Sequence, residues 1–330
     1  MLIVALGLSL ALAMVVGVMF GAVRVPFGDV MGALGRALRG VSVGMNDAVI
    51  IDLRLPRVLL AALVGASLAT AGVLYQALFR NALADPYILG VSSGAGLGAT
   101  IMLVAGGSSL VGRLVGVPLG AFAGALLTIT VVVRLASRSG RLEATSLLLA
   151  GVAVSYTLSA VTSFIMVVAR DSMQAVVFWM MGGLTGASWP YVWLLSGLLF
   201  VGLTVPMAFS RHLDLMLLGD ERAGQLGLDV ERFKIVALGL ASLVVAGAVS
   251  VSGLIGFVGL MTPHMVRLVL GPDHKALLPA SAITGALMLV LADLVARVVL
   301  APVEIPVGIV TALAGGPFFV WLLVRKEGVR

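Results

Sequence analysis

Predominantly apolar stretches of about 20 residues recur along this chain, each long enough to cross the roughly 30 Å hydrocarbon core of a bilayer as one helix. Ten candidates can be marked, over residues 2–22, 57–78, 87–107, 114–133, 145–168, 191–209, 235–251, 253–270, 276–296 and 306–324. In lipid the backbone must satisfy its own hydrogen bonds within the segment, so each run is expected to be helical. The fold class that follows is an all-α polytopic membrane protein of about ten transmembrane helices, with residues 1–330 forming one transmembrane domain. The eighth run is expected to be short or tilted, because Pro263, His264 and Arg267 interrupt it. The first is longer than a signal-peptide core and no basic stretch precedes it, so it reads as a retained span.

Composition removes several function classes. With 61% hydrophobic and 11% charged residues the chain is not a soluble globule, where about a quarter of residues are charged. The net charge of +6 is scattered between apolar runs with no aromatic-basic surface, which argues against a nucleic-acid partner. There is no cysteine for a disulfide or thiolate site, and His212, His264 and His274 do not cluster as metal ligands. No cofactor and no bound metal is expected. The phosphate-cradling pattern needs a lysine followed by Ser or Thr, but Lys234, Lys275 and Lys326 are followed by Ile235, Ala276 and Glu327. No paired carboxylates and no nucleophile-base pair are visible, so no catalytic residue is assigned. Asp293 is the only acid well inside a span, and Arg297 four residues on marks it as an ion-pair partner more than a proton carrier.

Ten spans place both termini on one side. Thirteen of the 21 Lys and Arg residues fall on that side, among them Arg80, Arg134, Arg211, Arg222, Arg232 and Lys234, and the positive-inside rule makes it cytoplasmic. The long polar segment 211–233 then faces the cytoplasm. Asp220 can cap a short helix there, with Ala223 and Leu226 on one side, Gly227 can end it in the left-handed conformation, and Asp229 can start the next helix. Such a helix suits a groove on a soluble partner. The alternative is a connecting loop folded on itself.

On the fifth span Ser155, Ser159, Thr162 and Ser163 are spaced as a polar stripe. Small hydroxyls there could line a passage or could pack against another helix. Met166, Met173, Met180 and Met181 near the end of that span offer an adaptable apolar mouth or fill gaps.

Several blocks in order carry a family resemblance: Leu53 to Arg57 (LRLPR), Asn81 to Gly94 (NALADPYILGVSSG), Leu147 to Gly151 (LLLAG), Leu218 to Leu228 (LGDERAGQLGL), Gly253 to Arg267 (GLIGFVGLMTPHMVR), Leu277 to Arg297 and Ile305 to Pro317. Over nearly its whole length the chain resembles the permease subunits of type II ABC importers that take up iron-siderophores, haem or cobalamin. One departure is visible, since the family has Asn-Pro-Leu-Ala where this chain has Asn81-Ala82-Leu83-Ala84, and a looser turn is expected there.

The resemblance implies a second permease copy, two cytoplasmic ATPase subunits and an extracytoplasmic substrate-binding protein, in the inner or plasma membrane of a prokaryote. It implies ATPase coupling by Leu217, Gly219, Asp220, Glu221, Arg222, Ala223, Leu226 and Gly227, and binding-protein docking by Arg54, Arg57 and Arg297. It further implies that the fifth span lines the path with Ser155, Ser159 and Thr162, and that Asn81, Leu83, Glu143, Thr145 and Ser146 close its inner end. The expected cargo is iron-siderophore or haem, with cobalamin as the alternative. From a different class, an ion-gradient-driven secondary transporter would need no ATPase.

Overall fold

The computed structural model describes residues 1–21, 23–40, 44–106, 109, 112–138 and 141–327. Ala22, Gly107 and Arg330, which the sequence reading places at span or chain ends, lie outside the described residues. In chain order the helices are α1 (Leu2–Met19), α2 (Phe27–Leu38), α3 (Met45–Ala48), a π-helical turn Val49–Arg54 running into α4 (Leu55–Leu78), α5 (Val91–Ala105), and a second π-helical turn Gly112–Gly116 running into α6 (Val117–Ala136). A two-residue ladder follows, β1 (Ser137–Arg138) against β2 (Arg141–Leu142), antiparallel. Then come α7 (Ala144–Val168), α8 (Met173–Met180), α9 (Trp189–Ala208), α10 (Ser210–Met216), α11 (Asp220–Gln225), α12 (Val230–Ser252), α13 (Val258–Leu270), α14 (His274–Val298) and α15 (Val307–Glu327).

Each of the ten expected spans has its helix. Seven are long and apolar enough to cross a membrane, and Val91–Ala105, Val258–Leu270 and Val307–Leu322 are apolar but shorter. The expected third span loses its first turn because Gly90 takes a left-handed conformation (φ 80°) immediately before α5. The expected break at Pro263 is not where the eighth span is interrupted: α13 runs through Pro263, and the chain is instead broken at Gly253 (φ 67°) and Phe257 (φ 69°). Proline removes the donor that would have met the Gly259 carbonyl, and that carbonyl abuts Gly72 of α4, where a Cβ would overlap it. The helix tolerates the proline because a neighbour fills the gap.

The helix at the centre is α4. In its most apolar 18-residue stretch 89% of the Val49–Leu78 span is buried, against 11% for the like stretch of α7. It packs on α14, α12, α13 and α9. Close approach to α14 is set by Gly65 facing Gly285, where a Cβ on either would strike the other's carbonyl. On the α12 side the Tyr75 hydroxyl meets Ser242 Oγ at 2.9 Å. α7 touches mainly α5 and α6 and leaves Leu149, Val152, Tyr156, Phe164 and Val167 exposed along its length. At 1.5 Å per residue α4 is about 36 Å long, so Arg57 and Arg80 mark opposite ends of the molecule. The end that carries residues 211–233 is called the loop end below.

Candidate functional site at the two ends of the central helix

At the loop end, α10 is seated by buried Leu213 and Met216, and Leu217 and Leu218 emerge from it exposed. Gly219 then adopts φ 101° and forms the cap of α11. This corrects one expectation: Asp220 is not the cap. It occupies the first helical turn, where an acidic group suits the positive end of the helix, and its Oδ2 accepts from Lys234 Nζ at 2.5 Å. A second correction concerns the helix faces. Ala223 is fully buried, whereas Leu226 is exposed, because α11 ends at Gln225 and Leu226 leaves it in non-helical geometry. The terminus is as expected, with Gly227 at φ 90° and the Leu228 N–H donating to the Ala223 carbonyl at 3.1 Å. Asp229 caps α12 by accepting from the Arg232 N–H at 3.2 Å. The outcome is a short helix anchored through Ala223 and Asp220 that presents Glu221, Arg222, Gly224, Gln225 and Leu226 outward.

Two more elements meet it. The turn after α4 starts with Arg80 in the left-handed region (φ 48°), and its guanidinium lies 3.7 Å from Asp220 Oδ1. Asn81 Oδ1 accepts from the Leu83 N–H at 2.9 Å, and the Ala84 N–H reaches the Asn81 carbonyl at 3.0 Å. The turn expected to loosen without proline is therefore held by the Asn81 side chain. Leu83 is exposed and Ala84 buried. At the start of α7, Glu143 and Thr145 are exposed and Ser146 is half-buried. Just before them, buried Leu142 is gripped from both sides: its N–H donates to Glu231 Oε2 at 2.7 Å and its carbonyl accepts from Lys234 Nζ at 3.0 Å. Glu231 escaped the sequence reading, which had Arg80 and Lys234 only as cytoplasmic-side charges. The signal available for Glu231 and Lys234 was an i,i+3 acid-lysine pair at the foot of a span.

The hydroxyl stripe divides. Thr162 is buried and Ser155 faces Gly90, while Ser159 and Ser163 are exposed. Thr162 and Ser163 donate back to the carbonyls of Leu158 and Ser159, both at 2.9 Å. Met173, Met180 and Met181 are exposed and Met166 half-buried.

At the opposite end the three arginines expected on an outer surface are drawn inward. Arg297 is 5% exposed, with Nε 2.9 Å from Asp293 Oδ2 and its terminal nitrogens on the carbonyls of Phe20 (3.1 Å) and Gly17 (3.0 Å). It does not reach the surface, which corrects its expected place among exposed docking residues. Asp293 has a second partner, Arg57 Nε at 3.0 Å, and Arg57 also spans to Glu304 at 2.9 and 3.0 Å. Arg54 donates to the carbonyls of Val18 (2.9 Å), Met19 (3.1 Å) and Val23 (2.6 Å). Arg54 and Arg297 together satisfy carbonyls at and beyond the C-terminus of α1, which lack intrahelical donors. Arg54 and Arg57 remain half-exposed. Between this network and the break after α12 lies a cavity of about 310 Å³, with Arg57, Trp179, Tyr191, Ser252 and Glu304 on its wall.

Residues 9–325 match the model of the FecCD transport family. Among similar proteins are the cobalamin import system permease of Halobacterium salinarum, 48% identical over 83% of this chain and 73% of its own length, and the hemin transport system permease of Yersinia pestis, 40% identical over 91% of each. The Fe(3+) dicitrate transport system permease of Escherichia coli is 42% identical over 84% of this chain and 86% of its own. A solved structure described as a metal-chelate type ABC transporter in an inward-facing conformation superposes with a TM-score of 0.85, at 30% identity and 98% coverage of both chains.

Proposed function

The chain belongs to the FecCD transport family and is an ABC importer permease, and from that premise we propose that it passes a metal chelate across a prokaryotic inner membrane. A binding protein delivers the chelate on one side, and ATPase subunits docked on residues 211–233 supply the work on the other. The observation that carries this reading is α11. It is a six-residue helix fixed by its buried Ala223 and offered outward between two spans, as a rigid peg for a soluble partner must be. Leu217, Gly219, Asp220, Glu221, Arg222, Leu226 and Gly227 complete the coupling surface. The loop end and both termini then face the cytoplasm.

Asn81, Leu83, Glu143, Thr145 and Ser146 lie at the same end and form the inner gate in this reading. A second permease copy covers the exposed apolar length of α7, so that Ser155, Ser159 and Thr162 border the path. Docking of the binding protein falls to Arg54 and Arg57, oriented from beneath by Arg297. Iron-siderophore or haem is the proposed cargo, in line with the names of two of the relatives. Cobalamin is the second reading, favoured by the 48% identity to the archaeal cobalamin permease. The test is uptake into liposomes holding the permease and its ATPase, with ferric siderophores, haem and cobalamin each offered on the matching binding protein. ATP-dependent uptake of one of them is expected. Uptake driven by an ion gradient without any ATPase would overturn the reading.

A further inference from the structure

One side chain at the loop end ties two separate elements to its own helix. Lys234 is 8% exposed, and its ammonium sits 2.5 Å from Asp220 of α11 and 3.0 Å from the Leu142 carbonyl at the head of α7. Asp220 in turn holds Arg80, the first residue of the turn after α4. Glu231, one turn before Lys234 on α12, completes the grip on Leu142 through its N–H. We infer that Lys234 is the positioning residue through which displacement of α11 reaches the head of α7, while Asp220 carries the same displacement directly to the turn at Arg80. This rests on the coupling role of α11 proposed above and goes beyond it by naming the physical link.

The chemistry favours this over a merely structural role. A lysine stem without its charge would pack as well against Leu78, Leu142 and Leu238, which border a cavity of about 40 Å³ beside it. What the ammonium adds is three donors on one atom, two of them spent on different moving parts. Pulling Asp220 away leaves a largely buried ammonium with only the Leu142 carbonyl and the more distant Glu231 carboxylate, 3.8 Å off, as partners. The cheapest response is for α11, Leu142 and Arg80 to shift as one body. α12 supplies the fixed foot, because its middle is buried against α4.

The test uses the permease reconstituted with its ATPase and binding protein. Two quantities are compared between wild type and Lys234→Met: chelate taken up per ATP hydrolysed, and the ATP-dependent distance between spin labels at Thr145, at the head of α7, in the two copies. Uptake per ATP is expected to fall by about 5- to 150-fold, the span of ordinary coupling energies, with ATPase binding retained and the label distance no longer responding to nucleotide. Wild-type uptake per ATP with a normal distance change in K234M overturns the inference. Should K234M not assemble, Lys234→Gln keeps a neutral donor amide at the site and is judged by the same two outcomes. The coupling reading is judged separately, on whether the wild-type permease binds an ATPase at all.

Discussion

The two ends of α4 are built on opposite plans. At one end Asp293 holds Arg57 and Arg297, and both arginines are tied down again, Arg57 by Glu304 and Arg297 by the end of α1. Arg57, Asp293 and Arg297 each have two or more anchors, and all three sit on α4 or α14, which pack on each other along their length. At the loop end Lys234 and the carboxylates of Asp220 and Glu231 join α11, the turn at Arg80 and the head of α7, and each of those segments is short. An over-anchored network resists relative motion, whereas a few polar links between short segments transmit it. The comparison assigns stability to the first end and work to the second.

The largest effect that would break this contrast lies in the over-anchored network. Replacing Asp293 by Ala leaves Arg57 and Arg297 with an unbalanced buried charge, and removing one partner of such a cluster costs about 3–5 kcal/mol. D293A is expected to lose thermal stability in detergent and to fail in membrane insertion. If D293A melts with wild type and only uptake fails, Asp293 is a carrier of protons or cations, and the two ends have been assigned the wrong way round.

Next in size is Ala223→Glu at the loop end. Ala223 has no exposed surface, so a glutamate there must push α11 off its seat. ATP-driven uptake should fall by about 10- to 100-fold, as for loss of an ordinary coupling energy, with melting nearly unchanged since few contacts are involved. A large loss of melting temperature with normal uptake per ATP would reverse the comparison. Gly219→Val should behave alike, because φ 101° is closed to a β-branched residue.

How far the chain could be read in advance follows the same division. The spans were legible because twenty apolar residues admit only one structure in lipid, and Gly227 and Asp229 were legible because cap chemistry is local. The pairing of Asp293 with Arg297 was legible for the same reason, as an i,i+4 contact. What escaped is long-range. Arg57 meets Asp293 across 236 positions and Lys234 meets Leu142 across 92, and no periodicity relates them. Arg297 was misplaced at the surface because its position in the chain says it is near a membrane face but not that α1 lies over it. Leu226 was misassigned to the face of Ala223 because helical spacing was extended one residue beyond where α11 stops.

A smaller effect sharpens the docking assignment. Arg54 both ties down α1 and stays half-exposed, so Arg54→Gln and Arg54→Glu remove the same cap. If the residue also meets carboxylates of a binding protein, R54E should capture that protein about ten-fold more weakly than R54Q at low salt, and the gap should close near 1 M salt, where the Debye length is about 3 Å. Equal capture by the two variants at low salt would leave Arg54 a helix cap alone.

The smallest effect tests whether the gate side of α4 carries a cost that the clamped side does not. Asp85 lies in the turn between α4 and α5. Its carboxyl sits below the surface though the residue as a whole is half-buried, and desolvation raises it above its ordinary value near 3.8 despite the bond it accepts from the Tyr87 N–H at 2.7 Å. The unfolded chain ionises this group first as pH climbs past the ordinary value, so wild-type stability declines from there until the folded carboxyl ionises too. Asp85→Asn keeps the acceptor for Tyr87 and has no charge to desolvate. D85N should therefore melt above wild type at pH 7 and level with it near pH 4. A constant offset at both pH values would mean that packing and not charge sets the difference, and that the gate turn is as fully compensated as the network at the far end.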